Sequence, residues 1–220
     1  MNSTGNDIVA LKAINVARTR QANFYSKIIT DTEKSLYDKA LFSALPFEHF
    51  VWLAWSVKES VYKFLQRGQS DLVFSPSRII LSELLIPSQK DQYSLPGKKE
   101  ARNFTDQAYS GVVRSNDRLF FFRSIIADEF IFSVANDRDN FSQVWWGIKE
   151  IELSDPDSQS ASVREFVLEK LNDLSLSENI RIGQSKHGYP VILKNNTEID
   201  LPVSLAHHEN YIAYSFIYSQ

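Results

Sequence analysis

Apolar residues recur along this chain in two rhythms. Between Phe47 and Arg67 they return every third or fourth position, the period of an amphipathic helix, and Gly68 marks its stop. A looser helical rhythm runs from about Asn15 to Ala44, with Thr30 or Asp31 as cap and Glu33 three residues after Thr30. Elsewhere, short runs of branched and aromatic residues predict strands. These are Asp7–Leu11, the stretch "FSPSRIILSELLI" with Pro76 near its start, Tyr109–Ser115, Arg118–Ile126, Glu129–Asn136 and Trp145–Leu153. Ile180–Leu193, Glu198–Glu209 and Asn210–Ser219 close the chain in the same style. The sequence "SNDR" between Tyr109–Ser115 and Arg118–Ile126 predicts a hairpin turn. Residues 87–107 are polar and carry Pro and Gly, so they predict a long loop or insertion. Ser154–Ser162 reads as a solvated linker leading into a helix over Val163–Leu174. The rhythms together predict an α+β fold.

A weak internal echo runs through this pattern. "GNDIVAL" (Gly5–Leu11) and "GIKEIEL" (Gly147–Leu153) share a glycine-to-leucine spacing, and "RSIIADEFIFSV" and "VSLAHHENYIAYSF" share a serine, a turn and an aromatic-rich strand. Read as a tandem duplication, the chain divides near residue 140, into a first half over 1–140 with the insertion at about 87–107 and a second half over 141–220. The second half has Lys149 where the first has Asp7, so the halves would not share one chemistry.

On a helical wheel, Phe50, Leu53, Ala54, Val57, Val61, Phe64 and Leu65 form the core arc of the Phe47–Arg67 helix. The opposite side carries Trp52, Trp55, Glu59, Tyr62 and Lys63, with Lys58 at one border. Two readings stay open for it. Glu59 and Lys63 stand four apart in the favourable order for a surface ion pair. Yet two tryptophans and a tyrosine on one face call for a cover, and a carboxylate under a cover needs a cation, a metal or a raised pKa. Asp7, at the start of the first strand, is a second acid that a strand end can bring beside Glu59. Two carboxylates without sulfur suit a hard, oxygen-loving ion, Mg²⁺ rather than Zn²⁺.

Composition narrows the field. In 220 residues there is no cysteine, which excludes disulfides, cysteine-ligated zinc and thiol nucleophiles and fits a reducing cytosol. A net charge of −3 argues against a nucleic-acid binder dominated by phosphate contacts, while leaving room for a small anionic ligand on a local basic cluster. The start "MNSTGNDIVALKAI" lacks a signal-peptide pattern, and no apolar run is long enough to span a membrane. The expectation is a cytoplasmic protein bound neither to membrane nor to nucleic acid. Late in the chain, Lys186 and His187 precede Gly188 and Pro190 in a tight turn with a basic lip, and His207 and His208 sit together as turn residues or donors to a phosphate.

Taken in order, these residues resemble the 4'-phosphopantetheinyl transferase superfamily. The family's G-x-D strand, W/F-x-x-K-E-(S/A)-x-x-K helix, G-K-P turn and S-x-S-H strand are matched by Gly5-Asn6-Asp7, Trp55 to Lys63, Gly188-Tyr189-Pro190 and Ser204-Leu205-Ala206-His207. Tyr189 stands where the family has lysine, Ala206 where it has a second serine, and Ala13 where the small synthase type has a basic residue. The motifs match that synthase type, a trimer, whereas the length matches the surfactin-synthetase-activating type, a monomer of two fused copies. The echo reconciles them as two similar α+β halves, each a small antiparallel sheet packed with helices, related by a pseudo-twofold. Facing across a cleft, they would cover the tryptophan face and make the protein a monomer by internal pseudo-dimer.

The resemblance implies transfer of the 4'-phosphopantetheine arm from coenzyme A to a serine of an apo acyl or peptidyl carrier protein, in fatty acid or polyketide synthesis. Asp7 and Glu59 would hold Mg²⁺, Glu59 and Lys63 would be catalytic, and Lys58, Lys186, His187 and His207 would bind coenzyme A. The alternative is a protein of the same fold that binds coenzyme A or a carrier without transfer.

Overall fold

Every residue of the first strand, β1 (Gly5–Ala10), is buried, so both of its faces are covered. Side chains alternate along a strand, and the odd and even positions here meet different neighbours. Val9 joins a core with the long helix α4 (Phe47–Gln66), while Ile8 and Ala10 join a second core on the opposite face. The structure, a computed structural model, describes residues 3–40, 44–69, 71–88, 97–153, 155–176 and 179–218.

The remaining strands are β2 (Ile79–Leu85), β3 (Lys98–Arg102), β4 (Tyr109–Ser115), β5 (Arg118–Ile126), β6 (Phe130–Asn136) and β7 (Val144–Glu150). After them come β8 (Ile180–Gln184), β9 (Pro190–Lys194), β10 (Thr197–Glu198), β11 (Val203–His208) and β12 (Tyr211–Ile217). Every pairing is antiparallel, in sheets ordered β1-β6-β5-β4-β2, β11-β12-β7-β3 and β10-β9-β8. Helix α4 packs on the first sheet, the first sheet stacks on the second, and helix α5 (Pro156–Asp173) covers the second sheet's far face. The expected α+β class with antiparallel sheets holds. Among the described residues, no helix is long and apolar enough to cross a membrane.

The first sheet's β1-β6-β5 connectivity recurs as β7-β12-β11 in the second. In each hairpin a buried serine faces a buried serine: Ser124 opposite Ser133, with hydroxyls 2.8 Å apart, and Ser204 opposite Ser215. The sheets touch along their edge strands, β1 and β11. There the backbone N–H of Asn6 donates to Ser204 Oγ at 3.0 Å and that of Ala10 donates to His208 Nδ1 at 2.8 Å. Two β11 side chains thus satisfy the edge N–H groups of β1 that no strand pairs.

Three expectations need correction. The run from Asn15 to Ala44 is not one helix but three short ones, α1 (Val16–Thr19), α2 (Ala22–Tyr25) and α3 (Asp31–Ala40); residues 41–43 lie outside the described residues. Cap residues inside the run restart it. Asn15 Oδ1 accepts from Arg18 N, and Thr30 and Glu33 form a reciprocal capping box with bonds of 2.7 and 3.4 Å. The predicted 87–107 loop contains β3, which pairs with β7 and so belongs to the second sheet; residues 89–96 lie outside the described residues. The predicted linker at 154–162 is helical from Pro156, because Asp155 caps it and proline suits the first turn.

The tryptophan face has a cover, but not the expected one. Trp52 donates to Thr19 Oγ1 at 3.1 Å and packs on Phe24, while Trp55 and Tyr62 pack on Phe74, each ring pair about 5–6 Å between centroids. Among the described residues the cover comes from α1, α2 and the segment before β2.

Lys58 also departs from expectation. Its ammonium is fully buried, donating to Ile28 O at 2.6 Å and to both oxygens of fully buried Glu33 at 2.8–2.9 Å. Glu33 in turn accepts from Thr30 N, Thr30 Oγ1 and Leu81 N. Lys58 therefore ties α4 to α3 and β2 rather than reaching a ligand. Breaking such a buried pair costs about 3–5 kcal/mol. Glu33→Leu is the worse half to remove, since it also strands the N–H groups of Thr30 and Leu81. Urea unfolding should show both Glu33→Leu and Lys58→Met destabilised on that scale, with Glu33→Leu the lower. A Lys58→Met midpoint equal to the parent's would contradict this account of the network.

Candidate active site

Gly5 lets strand and helix meet closely. A Cβ there would lie 1.9 Å from the Ser60 carbonyl oxygen of α4, so only glycine permits this approach. Strand parity then turns Asp7 toward the helix, as it does Val9. Glu59 and Lys63, four apart on α4, share the facing surface. Lys63 Nζ sits 3.2 Å from Asp7 Oδ1 and 3.3 Å from Glu59 Oε1. One ammonium thus contacts both carboxylates, which places the two acids within reach of a single ion.

Burial sets the electrostatics. The Asp7 side chain is 8 % exposed against 27 % for Glu59 and 23 % for Lys63. Desolvation pushes the Asp7 carboxyl up to about 7, with Glu59 adding repulsion and Lys63 opposing both. Burial works to lower the Lys63 pKa, but attraction to Asp7 and Glu59 prevails and raises it. Asp7 Oδ2 and the hydroxyl of Ser56 are buried and close enough for Ser56 to draw the Asp7 pKa down, yet neither makes a well-aligned hydrogen bond among the described residues. An orphaned carboxylate oxygen beside a second acid fits a hard cation or its bound water. Among the described residues no group of three or more His, Asp or Glu side chains forms a metal cage. An ion here would keep waters or ligand oxygens, as Mg²⁺ commonly does.

The second sheet meets β1 through β11. Ser204 and His208 point toward β1 and hold it, whereas His207 lies exposed at the alternate position of β11. Desolvation lowers the His207 pKa, and Lys63, His208 and Arg164 lower it further against the pull of Glu59. His207 is therefore within electrostatic reach of the acid–lysine cluster.

Sequence reasoning missed two cations. Arg164, on α5, acts on His207 from the second half. Arg67, capping the end of α4, continues the Glu59–Lys63 spacing one turn further, about 6 Å on. Its guanidinium donates to Pro190 O at 2.9 Å and to Val203 O, and lies 5.2 Å from the centre of the Tyr189 ring. Arg67 was legible as the next step of that four-residue spacing; no motif marked Arg164. Cavities of about 470 and 520 Å³ flank the Arg67–Tyr189 stack, and Lys186 and His187 line the larger. Gly188, at φ +91°, makes the turn that presents those two residues.

The structure thus gathers Asp7, Glu59 and Lys63, leaves His207 exposed within electrostatic reach of them, and gives Lys186 and His187 a groove shared with Arg67. Lys58 joins none of these. The family model of the 4'-phosphopantetheinyl transferase superfamily matches residues 3–106, the segment that carries Asp7, Glu59 and Lys63. No curated protein and no solved structure matches the chain.

Raising the Asp7 pKa has a thermodynamic sign. Between the ordinary aspartate value of 3.8 and about 7 the folded chain holds a proton that the unfolded chain releases, so this group's contribution to stability falls as pH rises through that window. Asp7→Asn removes the titrating charge. Its melting temperature should exceed the parent's at pH 8 in metal-free buffer, with the gap closing toward pH 4. A variant less stable than the parent at pH 8 would show that the Asp7–Lys63 attraction outweighs desolvation.

Proposed function

We propose that the chain transfers 4'-phosphopantetheine from coenzyme A to a carrier-protein serine with Mg²⁺, releasing 3',5'-ADP. One observation carries the reading: two carboxylates converge on one cation position, with a buried carboxylate oxygen that no well-aligned donor meets among the described residues, inside the segment matched to a phosphopantetheinyl transferase family.

Asp7 and Glu59 would hold the ion, which when bound neutralises charge on the pyrophosphate. Glu59, the more exposed acid, accepts the serine proton through a water as the serine oxygen forms a bond to the phosphorus bearing the pantetheine arm. The P–O bond to the departing 3',5'-ADP breaks, and Lys63 meets the charge that develops on the phosphates. His207, with Arg164 near it, would meet the phosphates from β11, and Lys186, His187 and Arg67 would offer positive charge along the groove to the nucleotide's 3'-phosphate. Arg67 supplies there the cation that Tyr189, in place of the family's lysine, does not.

The repeated β1-β6-β5 and β7-β12-β11 connectivity, with its matching serine pairs, supports a fused pseudo-dimer acting as a monomer. The second copy lacks an acid equivalent to Asp7, since Lys149 stands two residues after Gly147 as Asp7 does after Gly5. One transfer site per chain follows. A cytoplasmic location is part of the same reading.

The test is an intact-mass assay of assorted apo carrier proteins with coenzyme A and Mg²⁺. We expect a phosphopantetheine-sized gain that slows about a hundredfold or more in Glu59→Ala. Calorimetric binding of coenzyme A with no gain on any carrier would replace transfer by binding alone.

A further inference from the structure

Two buried or half-buried carboxylates repel, and in this structure the Lys63 ammonium answers both. Its contacts of 3.2 and 3.3 Å are longer than the usual charge-assisted bond of about 2.7–2.9 Å, so the ammonium bridges the acids loosely. Mg²⁺ needs oxygens at about 2.0–2.1 Å. An ion that bridges the two acids through the oxygens Lys63 now holds cannot share the gap with the ammonium: Asp7 Oδ1 and Glu59 Oε1 would have to close around it into the volume that Nζ fills. No other cation forms a salt bridge to Asp7 among the described residues. The lysine has somewhere to go, because its side chain is 23 % exposed on four flexible methylenes while Asp7 stays enclosed.

We infer that Lys63 is a resident counter-ion, which fills the cation position between Asp7 and Glu59 until a divalent metal displaces it toward the cleft. The inference rests on the reading that these two acids hold the metal. A displaced ammonium in a half-buried cleft needs an anion, and the diphosphate of the donor substrate is the anion that arrives. Metal and diphosphate are then coupled through one side chain. The metal frees the lysine for the phosphates, and the phosphates remove it from the metal site. Such a coupling is reciprocal and on the order of tenfold for a single charged group. Without the nucleotide the lysine keeps its place and the site stays weakly metallated.

Mn²⁺ binding to the full chain, read by electron paramagnetic resonance with and without coenzyme A, tests this independently of turnover. The parent should bind Mn²⁺ weakly alone and about tenfold or more tightly with coenzyme A present. Lys63→Met and Lys63→Gln should bind Mn²⁺ alone about tenfold or more tightly than the parent, and coenzyme A should add little. Asp7→Asn should abolish binding in each background. If both Lys63 variants bind Mn²⁺ no more tightly than the parent while Asp7→Asn still abolishes it, the counter-ion role falls and the metal reading stands. If Asp7→Asn leaves binding unchanged, or no variant binds Mn²⁺, both fall together.

Discussion

A carboxylate enclosed between a strand and a helix is the constraint around which this molecule is arranged. Asp7 lies on a strand covered on both faces, and desolvation lifts its pKa by enough to threaten its charge near neutrality. A protein keeps such a group only by supplying a cation or accepting a proton. Here the answer is Lys63, shared with Glu59. Gly5 makes the arrangement possible by letting the strand approach the helix backbone, and strand parity aims the carboxylate at it.

Helix α4 carries two lysines five residues apart whose fates differ for physical reasons. Lys58 is sealed, with Glu33 and a carbonyl as partners, and Glu33 has its remaining capacity filled by backbone donors. A fully satisfied buried network resists change. Lys63 keeps a quarter of its surface open, and one oxygen of its partner Asp7 is unsatisfied. An incomplete network at a cleft is where a ligand can complete the set. The same helix thus fixes its own position with one lysine and offers chemistry with the other.

The cleft itself depends on how two sheet edges meet. Strand β1 and strand β11 do not pair through their backbones; Ser204 and His208 reach across to the N–H groups instead. That leaves His207, at the alternate position, exposed and within electrostatic reach of Lys63 and Glu59. Arg67 makes a second seam by donating to two carbonyls of the second half while stacking on Tyr189. The groove is therefore assembled from groups distant in sequence.

The Glu59–Lys63 pair, the core stripe of α4 and most strands were legible in the sequence, because each rests on spacing within a few residues. The capping box at Thr30 was legible for the same reason, although the helix breaks around it were not, since caps inside a helical rhythm look like tolerated polar residues. Periodicity could show that Trp52 and Trp55 need a cover without saying what supplies it; the N-terminal helices do, through contacts spanning about thirty positions. Nor could it separate Lys58 from Lys63, whose difference lies in Glu33, twenty-five residues away, and in Asp7, fifty-six away. The strand at 98–102 hid in a polar segment because an edge strand needs little apolar surface. Local order along the chain chose the elements and named the acids. Only the folded arrangement decided which charges are sealed and which stay available, because desolvation depends on what surrounds a group in space.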